Sequence, residues 1–82
     1  MQKPVVHLNG SGREALIKKY VDVLNALNVA IKEMDENCPN ARDYYPLGED
    51  AYPKARNEWE AHIGALVQMR NYVNDLFDAV YD

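Results

Sequence analysis

The sequence NCPNARDYYPLGED, residues 37–50, separates two long stretches in which apolar residues recur with helical spacing. It contains Pro39 and Pro46, and proline has no backbone amide to continue a helix and restricts the residue before it. Connections between packed helices usually take roughly two to eight residues, so a longer one is expected to be an ordered loop. The chain is therefore predicted to be an all-α antiparallel two-helix hairpin with a long ordered loop.

The helix before the loop is predicted to occupy residues 11–37. Ser11 and Glu14 have the spacing of a capping box, in which a hydroxyl and a carboxylate accept hydrogen bonds from free backbone amides at the start of the helix. Pro39 disfavours helical geometry at the residue before it and so ends the helix close to position 37. One apolar stripe with spacings of three and four residues marks the buried side: Leu16, Tyr20, Leu24, Leu27, Ile31, Met34 and Cys38.

The helix after the loop is predicted to occupy residues 51–81, beginning after Asp50, which can cap its free amides. Its apolar residues follow a heptad pattern in two rows: Tyr52, Trp59, Leu66, Val73 and Val80, and Ala55, His62, Met69 and Leu76. Ile63, Val67 and Phe77 widen the apolar arc to about half the circumference, whereas one contact stripe needs somewhat over 100°. One neighbouring helix cannot cover this arc. Hairpins are therefore expected to associate into a homo-oligomeric bundle, with a dimeric four-helix bundle as the default and a larger ring as the alternative.

The size of the chain supports the same expectation. Residues 1–82 should form a single domain, with residues 1–10 as an N-terminal arm and residues 38–50 as the loop. A chain of this size buries only about 60% of the surface that it exposes when unfolded. Cys38 is its single cysteine, which excludes a disulfide framework and fits a reducing compartment. Association between copies remains the means of enlarging the core.

Charge and hydropathy limit the partners. Thirteen acidic against nine basic residues give a net charge of −4. This balance repels phosphate backbones and anionic lipids, so neither duplex nucleic acid nor a membrane is expected as a partner. No stretch approaches the roughly 20 apolar residues of a membrane span, and the first ten residues lack the apolar run of a signal peptide. A cytoplasmic protein is expected.

The loop also carries the residues best suited to binding a ligand. Arg42, Tyr44 and Tyr45, with Arg56 in the early turns of the second helix, are the predicted ligand-binding residues. Guanidinium groups match phosphate or carboxylate, and tyrosine rings stack on bases. This combination suits a nucleotide or another small anionic ring system. In the alternative interpretation the tyrosines cover the open end of the bundle, and Arg42 pairs with an acid such as Asp43.

Catalytic and metal chemistry have no support in the sequence. His7, Cys38 and His62 do not have metal-ligand spacing, and no Gly-x-Ser-x-Gly elbow or Cys/His nucleophile arrangement occurs. We therefore expect no catalytic residue, no metal and no cofactor, and a protein that is not an enzyme. His62, at a core-register position, is expected to be a satisfied interface histidine, and Arg70 is expected to extend to the bundle edge or to pair between subunits.

Three segments resemble small helical-hairpin proteins encoded in phage and prophage genomes: HLNG at residues 7–10, REAL at residues 13–16 and NARDYYP at residues 40–46. The segment NCPNAR at residues 37–42 is similar to phage anti-CBASS sponges, oligomeric hairpins that sequester cyclic-nucleotide immune signals. That similarity implies a non-enzymatic protein of the host cytoplasm that sequesters a small anionic ligand. This chain differs from the sponges in its longer loop, its Tyr-Tyr-Pro insertion and its extended second helix. The alternative function is a phage structural or regulatory bundle acting through protein–protein contacts.

Overall fold

The computed structural model describes residues 1–5 and 12–81 and consists of two long helices joined by an ordered loop. The helical elements are α1 (Arg13–Glu36), two short 3₁₀ helices (Ala41–Asp43 and Tyr45–Leu47) and α2 (Ala51–Tyr81). No β-strand occurs in the described part of the chain. The prediction of an all-α helical hairpin is confirmed, and α2 has the bounds that the sequence predicts.

The start of α1 has a simple cap. Gly12 occupies the N-cap position in an extended conformation, and no side chain hydrogen-bonds there. The capping box predicted for Ser11 and Glu14 cannot be placed, because Ser11 lies outside the described residues. The first intrahelical bond runs from the Leu16 amide to the Gly12 carbonyl at 3.0 Å.

The end of α1 is fixed by the residues that follow it. Asn37 donates both its backbone amide and its side-chain amide to the Glu33 carbonyl, at 3.0 Å and 2.7 Å. The Cys38 thiol lies 3.3 Å from the Asp35 carbonyl. Carbonyls of the last turn lack intrahelical partners, and these contacts supply them. The helix thus ends at Glu36, one residue before the predicted end.

At each end of the hairpin, one side chain hydrogen-bonds to the backbone of the other helix. Arg13 donates through Nε to the Val80 carbonyl at 2.9 Å, and through a second guanidinium nitrogen to the Tyr81 carbonyl. The Trp59 indole donates to the Met34 carbonyl at 2.7 Å. Each contact joins the start of one helix to the end of the other, so the pair is antiparallel. Each also supplies a donor to carbonyls at a helix C-terminus, and the positive charge of Arg13 is favoured there.

The core between the helices is thin. Every member of the stripe predicted on α1 is half-buried except Cys38, which is exposed. No side chain of α1 is fully buried. In the described part of the chain only Leu76 and Val80, both on α2, are buried, with 9% and 6% of their surface exposed. Each helix therefore covers only one side of the other.

The structure corrects one of the two rows predicted to be buried on α2. The row from Tyr52 to Val80 is inward as predicted, but His62 is exposed and Met69 is 53% exposed. His62 is not covered within the single hairpin, so its predicted role as an interface histidine stays a prediction. The half-buried positions beside that row are Ile63, Arg70 and Phe77. The correction applies to His62 and Met69 only, because Ala55 is half-buried and Leu76 is buried as predicted. Between Trp59 and Arg70, α1 packs on the side of α2 reached four residues after Trp59, rather than three.

The molecule exposes more surface than a compact domain of its size. Its dimensions are 61 × 21 × 18 Å, and its radius of gyration is 18.3 Å, where a compact domain of this length has about 12 Å. The accessible surface is 6359 Å², against about 5,000 Å² for a compact monomer of the same mass. The excess is roughly 1,300 Å². Among the described residues, no helix is both long and apolar enough to span a membrane.

Candidate functional site

The loop is held by its own backbone. The Asn40 side-chain oxygen accepts a hydrogen bond from the Arg42 amide at 2.9 Å. The Asp43 amide donates to the Asn40 carbonyl, and the Tyr44 amide donates to the Ala41 carbonyl, both at 3.0 Å. An asparagine that accepts from an amide two residues ahead forms an Asx turn, which competes with continuation of the helix. This turn fixes the backbone positions from which the side chains of Arg42 and Tyr44 project.

Gly48 redirects the chain into α2. Its φ of 109° lies in the left-handed region, where a residue without Cβ is favoured. Its amide donates to the Tyr45 carbonyl, and its carbonyl accepts from the Ala51 amide, both at 3.3 Å. The Lys54 amide then donates to the Asp50 carbonyl at 3.2 Å. Asp50 therefore precedes the first turn of α2 and accepts a hydrogen bond from that turn through its backbone carbonyl. Capping by its carboxylate stays a prediction.

The four predicted ligand-binding residues lie near the same end of the hairpin with different exposures. Arg42 is exposed, Tyr44 is half-buried, and Tyr45 has 70% of its surface exposed. Arg56 is exposed, with its Nε 3.1 Å from a carboxylate oxygen of Glu60. The hydrogen bond to Glu60, followed by the charge of that carboxylate, raises the pKa of Arg56. Arg56 thus already has an anionic partner within the hairpin.

A groove of about 410 Å³ opens where the loop meets α2. It is lined by Tyr45, Gly48, Glu49, Tyr52 and Pro53. Of the four predicted residues, Tyr45 alone lines it. Its lining contains one charged residue, Glu49, and no arginine, so the charge at the groove does not favour an anion. The role of all four residues in ligand binding stays a prediction.

The sequence analysis gave Glu49 and Pro53 no place in the site. Both flank the turn at Gly48, and the groove forms because that turn brings Tyr45 back beside the first turn of α2. A glycine shortly before the predicted helix was the signal available for such a reversal. The sequence does not specify its φ.

A larger hollow of about 460 Å³ lies at the other end of the hairpin. Its lining is Met1, Lys3, Asp75, Asp78 and Ala79, so the first residues of the chain lie along the C-terminal half of α2. None of the predicted ligand-binding residues contributes to this hollow. In the described part of the chain, no group of three or more His, Cys, Asp or Glu side chains could hold a metal ion.

The other candidate site is a surface of α2 that α1 does not cover. We call it the outer face; its six members recur with spacings of three and four residues, and they are His62, Ala65, Met69, Tyr72, Leu76 and Ala79. All are exposed except Leu76, which is buried within the hairpin, with 9% of its surface exposed. None is charged, although 27% of the residues in the chain are. An exposed, uncharged helix face is typical of a contact surface.

Arg70 marks the side of the hairpin away from the outer face. Its guanidinium donates to the Asn28 side-chain oxygen of α1 at 3.3 Å. The sequence left open whether Arg70 extends to the edge or pairs between subunits, and the structure gives it a partner within the same hairpin. On α1, Val23 and Asn28 flank the core stripe on opposite sides, about 140° apart at 3.6 residues per turn. Val23 therefore lies on the same side as the outer face.

No protein-family model, curated protein or solved structure matches this chain. The candidate function accordingly rests on the residues of the chain itself.

Proposed function

We propose that this chain is a non-enzymatic, phage-type helical-hairpin protein that acts through protein–protein contacts and assembles with copies of itself into a helical bundle. The observation that carries the proposal is the mismatch between the apolar surface of the helices and the little that one hairpin covers. The inward stripe of α1 stays half-buried along its whole length. A four-helix bundle would bury those stripes completely.

The size of the excess surface agrees with this proposal. A standard stable interface buries about 800 Å² per partner. The roughly 1,300 Å² that the hairpin exposes beyond a compact monomer is enough for one such interface. A protein with a small core needs a further source of stability, and association provides it without a disulfide or a metal.

Sedimentation velocity over a range of micromolar concentrations tests the proposal. We expect a dimer or larger species, together with a melting temperature that rises with protein concentration, because subunit association stabilises the folded state by mass action. A monomer at every concentration, with a melting temperature independent of concentration, would contradict it.

A second candidate function is sequestration of a small anionic ligand, such as a nucleotide or a cyclic-nucleotide immune signal, by Arg42, Tyr44, Tyr45 and Arg56. Two features favour it. The Arg42 guanidinium makes no hydrogen bond or ion pair with any described residue, and the Tyr45 ring is largely exposed. Both groups are therefore open to a ligand, and the similarity of residues 37–42 to the anti-CBASS sponges suggests its class.

Thermal shift with nucleotides and cyclic oligonucleotides tests the second candidate. Ligand at 100 times its Kd adds about 2.7 kcal/mol to the stability of the folded state. Arg42→Ala should abolish the shift, whereas Lys32→Ala, which removes an exposed cation of α1, should leave it unchanged. Absence of any shift across the panel would reject ligand sequestration and leave the interaction function.

A further inference from the structure

We infer that the outer face of α2 is the surface through which two copies of the chain meet, with the two α2 helices packed antiparallel about a twofold axis. This inference rests on the proposed function. The proposed function states only that copies of the chain associate, and this inference specifies the contact surface, the orientation and the register.

The first argument is the distribution of charge. A chain with net charge −4 repels its own copies, and burying an unpaired charge between them is costly. The outer face has no charged residue between positions 62 and 79. At about 100° per residue, Glu60 and Asp78 project from another side of the helix, and Asp75 projects from beside the face. Glu58 continues the line of the face one turn before His62, so it lies beyond the end of the second copy when His62 is opposite Ala79. Contact through this face therefore keeps those carboxylates in water.

The second argument is the distribution of side-chain size. The large exposed residues Met69 and Tyr72 lie in the middle of the face, next to Leu76, which is already buried within the hairpin, whereas Ala65 and Ala79 are small. In a parallel, in-register pair each residue meets its own copy, so large meets large and alanine meets alanine. Such an interface is crowded in the middle and leaves gaps at the alanines, although protein cores are packed evenly.

An antiparallel pair removes this mismatch. With the two faces fully overlapped, every outer-face residue meets a different residue of the second copy, in three kinds of layer: His62 with Ala79, Ala65 with Leu76, and Met69 with Tyr72. The outermost layers join the larger His62 with the small Ala79, and the central layers join Met69 with the Tyr72 ring, a favourable contact. In the layers between them Ala65 lies over Leu76, of which only 9% is exposed. The face is therefore complementary to itself, as an isologous twofold contact requires.

The length and position of the face are also sufficient. From position 62 to position 79 the helix extends about 26 Å at 1.5 Å per residue. Val23, Ala26 and Ala30 of α1 lie on the same side of the hairpin, also with helical spacing. Val23 and Ala26 are exposed, and Ala30 is half-buried. The second copy would cover these small apolar residues together with the outer face.

Site-specific cross-linking tests orientation and surface together. In a Cys38→Ser background, His62→Cys and Ala79→Cys are introduced separately, and both native side chains are exposed. The two proteins are mixed at equal concentration and treated with a short bismaleimide. We expect a cross-linked dimer in the mixture, and at least about tenfold less of it in either protein alone. Asn71→Cys, on a polar side of α2, is the matched control and should not cross-link.

Sedimentation of the same samples separates this inference from the proposed function. Efficient cross-linking of His62→Cys alone would show a parallel pair and overturn the orientation. Oligomers that cross-link through Asn71→Cys, and not in the mixture, would overturn the surface while leaving association intact. A monomer in sedimentation would reject both proposals.

Discussion

The two faces of α2 differ in charge, and the difference is the reverse of what their exposure to solvent predicts. The face covered by α1 contains a charged residue, Arg70, whereas the exposed outer face contains none. In a monomer whose surface is set by solvent alone, the opposite is expected, because an unpaired charge is costly only where water is excluded. The comparison supports the proposal that the outer face excludes water through contact with a second copy.

Arg70 is tolerated on the inner face because that face is shallow. Arg70 is half-buried, and its guanidinium lies within hydrogen-bonding distance of the Asn28 side chain. A long side chain can cover apolar surface with its methylene groups while its charged end stays at the edge. Exposure in a single hairpin therefore does not distinguish solvent surface from interface, but the distribution of charge does.

The largest expected effect contrasts the aromatic residues of the two faces. Trp59→Ala removes an inner-face ring and its hydrogen bond to the Met34 carbonyl, so it should lower the free energy of unfolding by roughly 2 to 5 kcal/mol. Tyr72→Ala, at a position 52% exposed, should leave the stability of the hairpin nearly unchanged and weaken association instead. Urea denaturation at low protein concentration, with sedimentation, measures both quantities. Equal losses of hairpin stability would abolish the distinction between the faces.

The next prediction concerns charge on the outer face. Met69→Glu places a carboxylate in the central layer of the proposed contact, where burial without a partner is unfavourable. It should raise the dissociation constant of the oligomer at least about tenfold, equivalent to 1.4 kcal/mol. Asn71→Glu adds the same charge on a polar side of the same helix and should change that constant less than about twofold. Similar effects of both substitutions would show that net charge, rather than the outer face, controls association.

The helices could be predicted from the sequence to within about two residues, because two prolines and an apolar repeat fix where each can begin and end. The side of α2 that faces α1 could not. His62, Met69 and Leu76 form as good an apolar row as Ile63, Arg70 and Phe77, yet Leu76 alone is buried in the first row, whereas all three residues of the second row are half-buried. Helical spacing defines rows of residues, but the crossing of the two helices selects between them.

The candidate site was predictable only in part, for a related reason. The density of tyrosine and arginine in the loop was visible in the sequence, but the groove depends on the path of the backbone through Gly48. Glycine permits the left-handed conformation without requiring it. Which of Arg42, Tyr44 and Tyr45 share a cavity therefore cannot be determined from residue types.

Two glycines provide a pair of smaller effects that sharpens the comparison. Gly48→Ala places a Cβ on a backbone at φ 109° and should destabilise the hairpin by about 1 to 2 kcal/mol. Gly64→Ala lies within α2, where an added Cβ meets nothing within 4 Å, and should stabilise by about 0.5 to 1 kcal/mol. Gly64 projects from a polar side of α2, so the substitution should not change the dissociation constant of the oligomer. If it weakens association markedly, the contact surface extends beyond the outer face.

The smallest expected effect replaces the charge on the inner face. Arg70→Met removes the hydrogen bond to Asn28 but keeps a long side chain over the apolar surface. Replacing a partly buried polar pair with an apolar side chain of similar length is often close to neutral, and Asn28 is exposed, so its freed oxygen can bond to water. The free energy of unfolding should therefore change by less than about 1 kcal/mol, and Arg70→Lys should behave similarly. Denaturant unfolding of both variants at one protein concentration measures this. A loss of more than about 2 kcal/mol would mean that the guanidinium is part of the core. The presence of a charged residue on the inner face could then not be explained by the shallowness of that face.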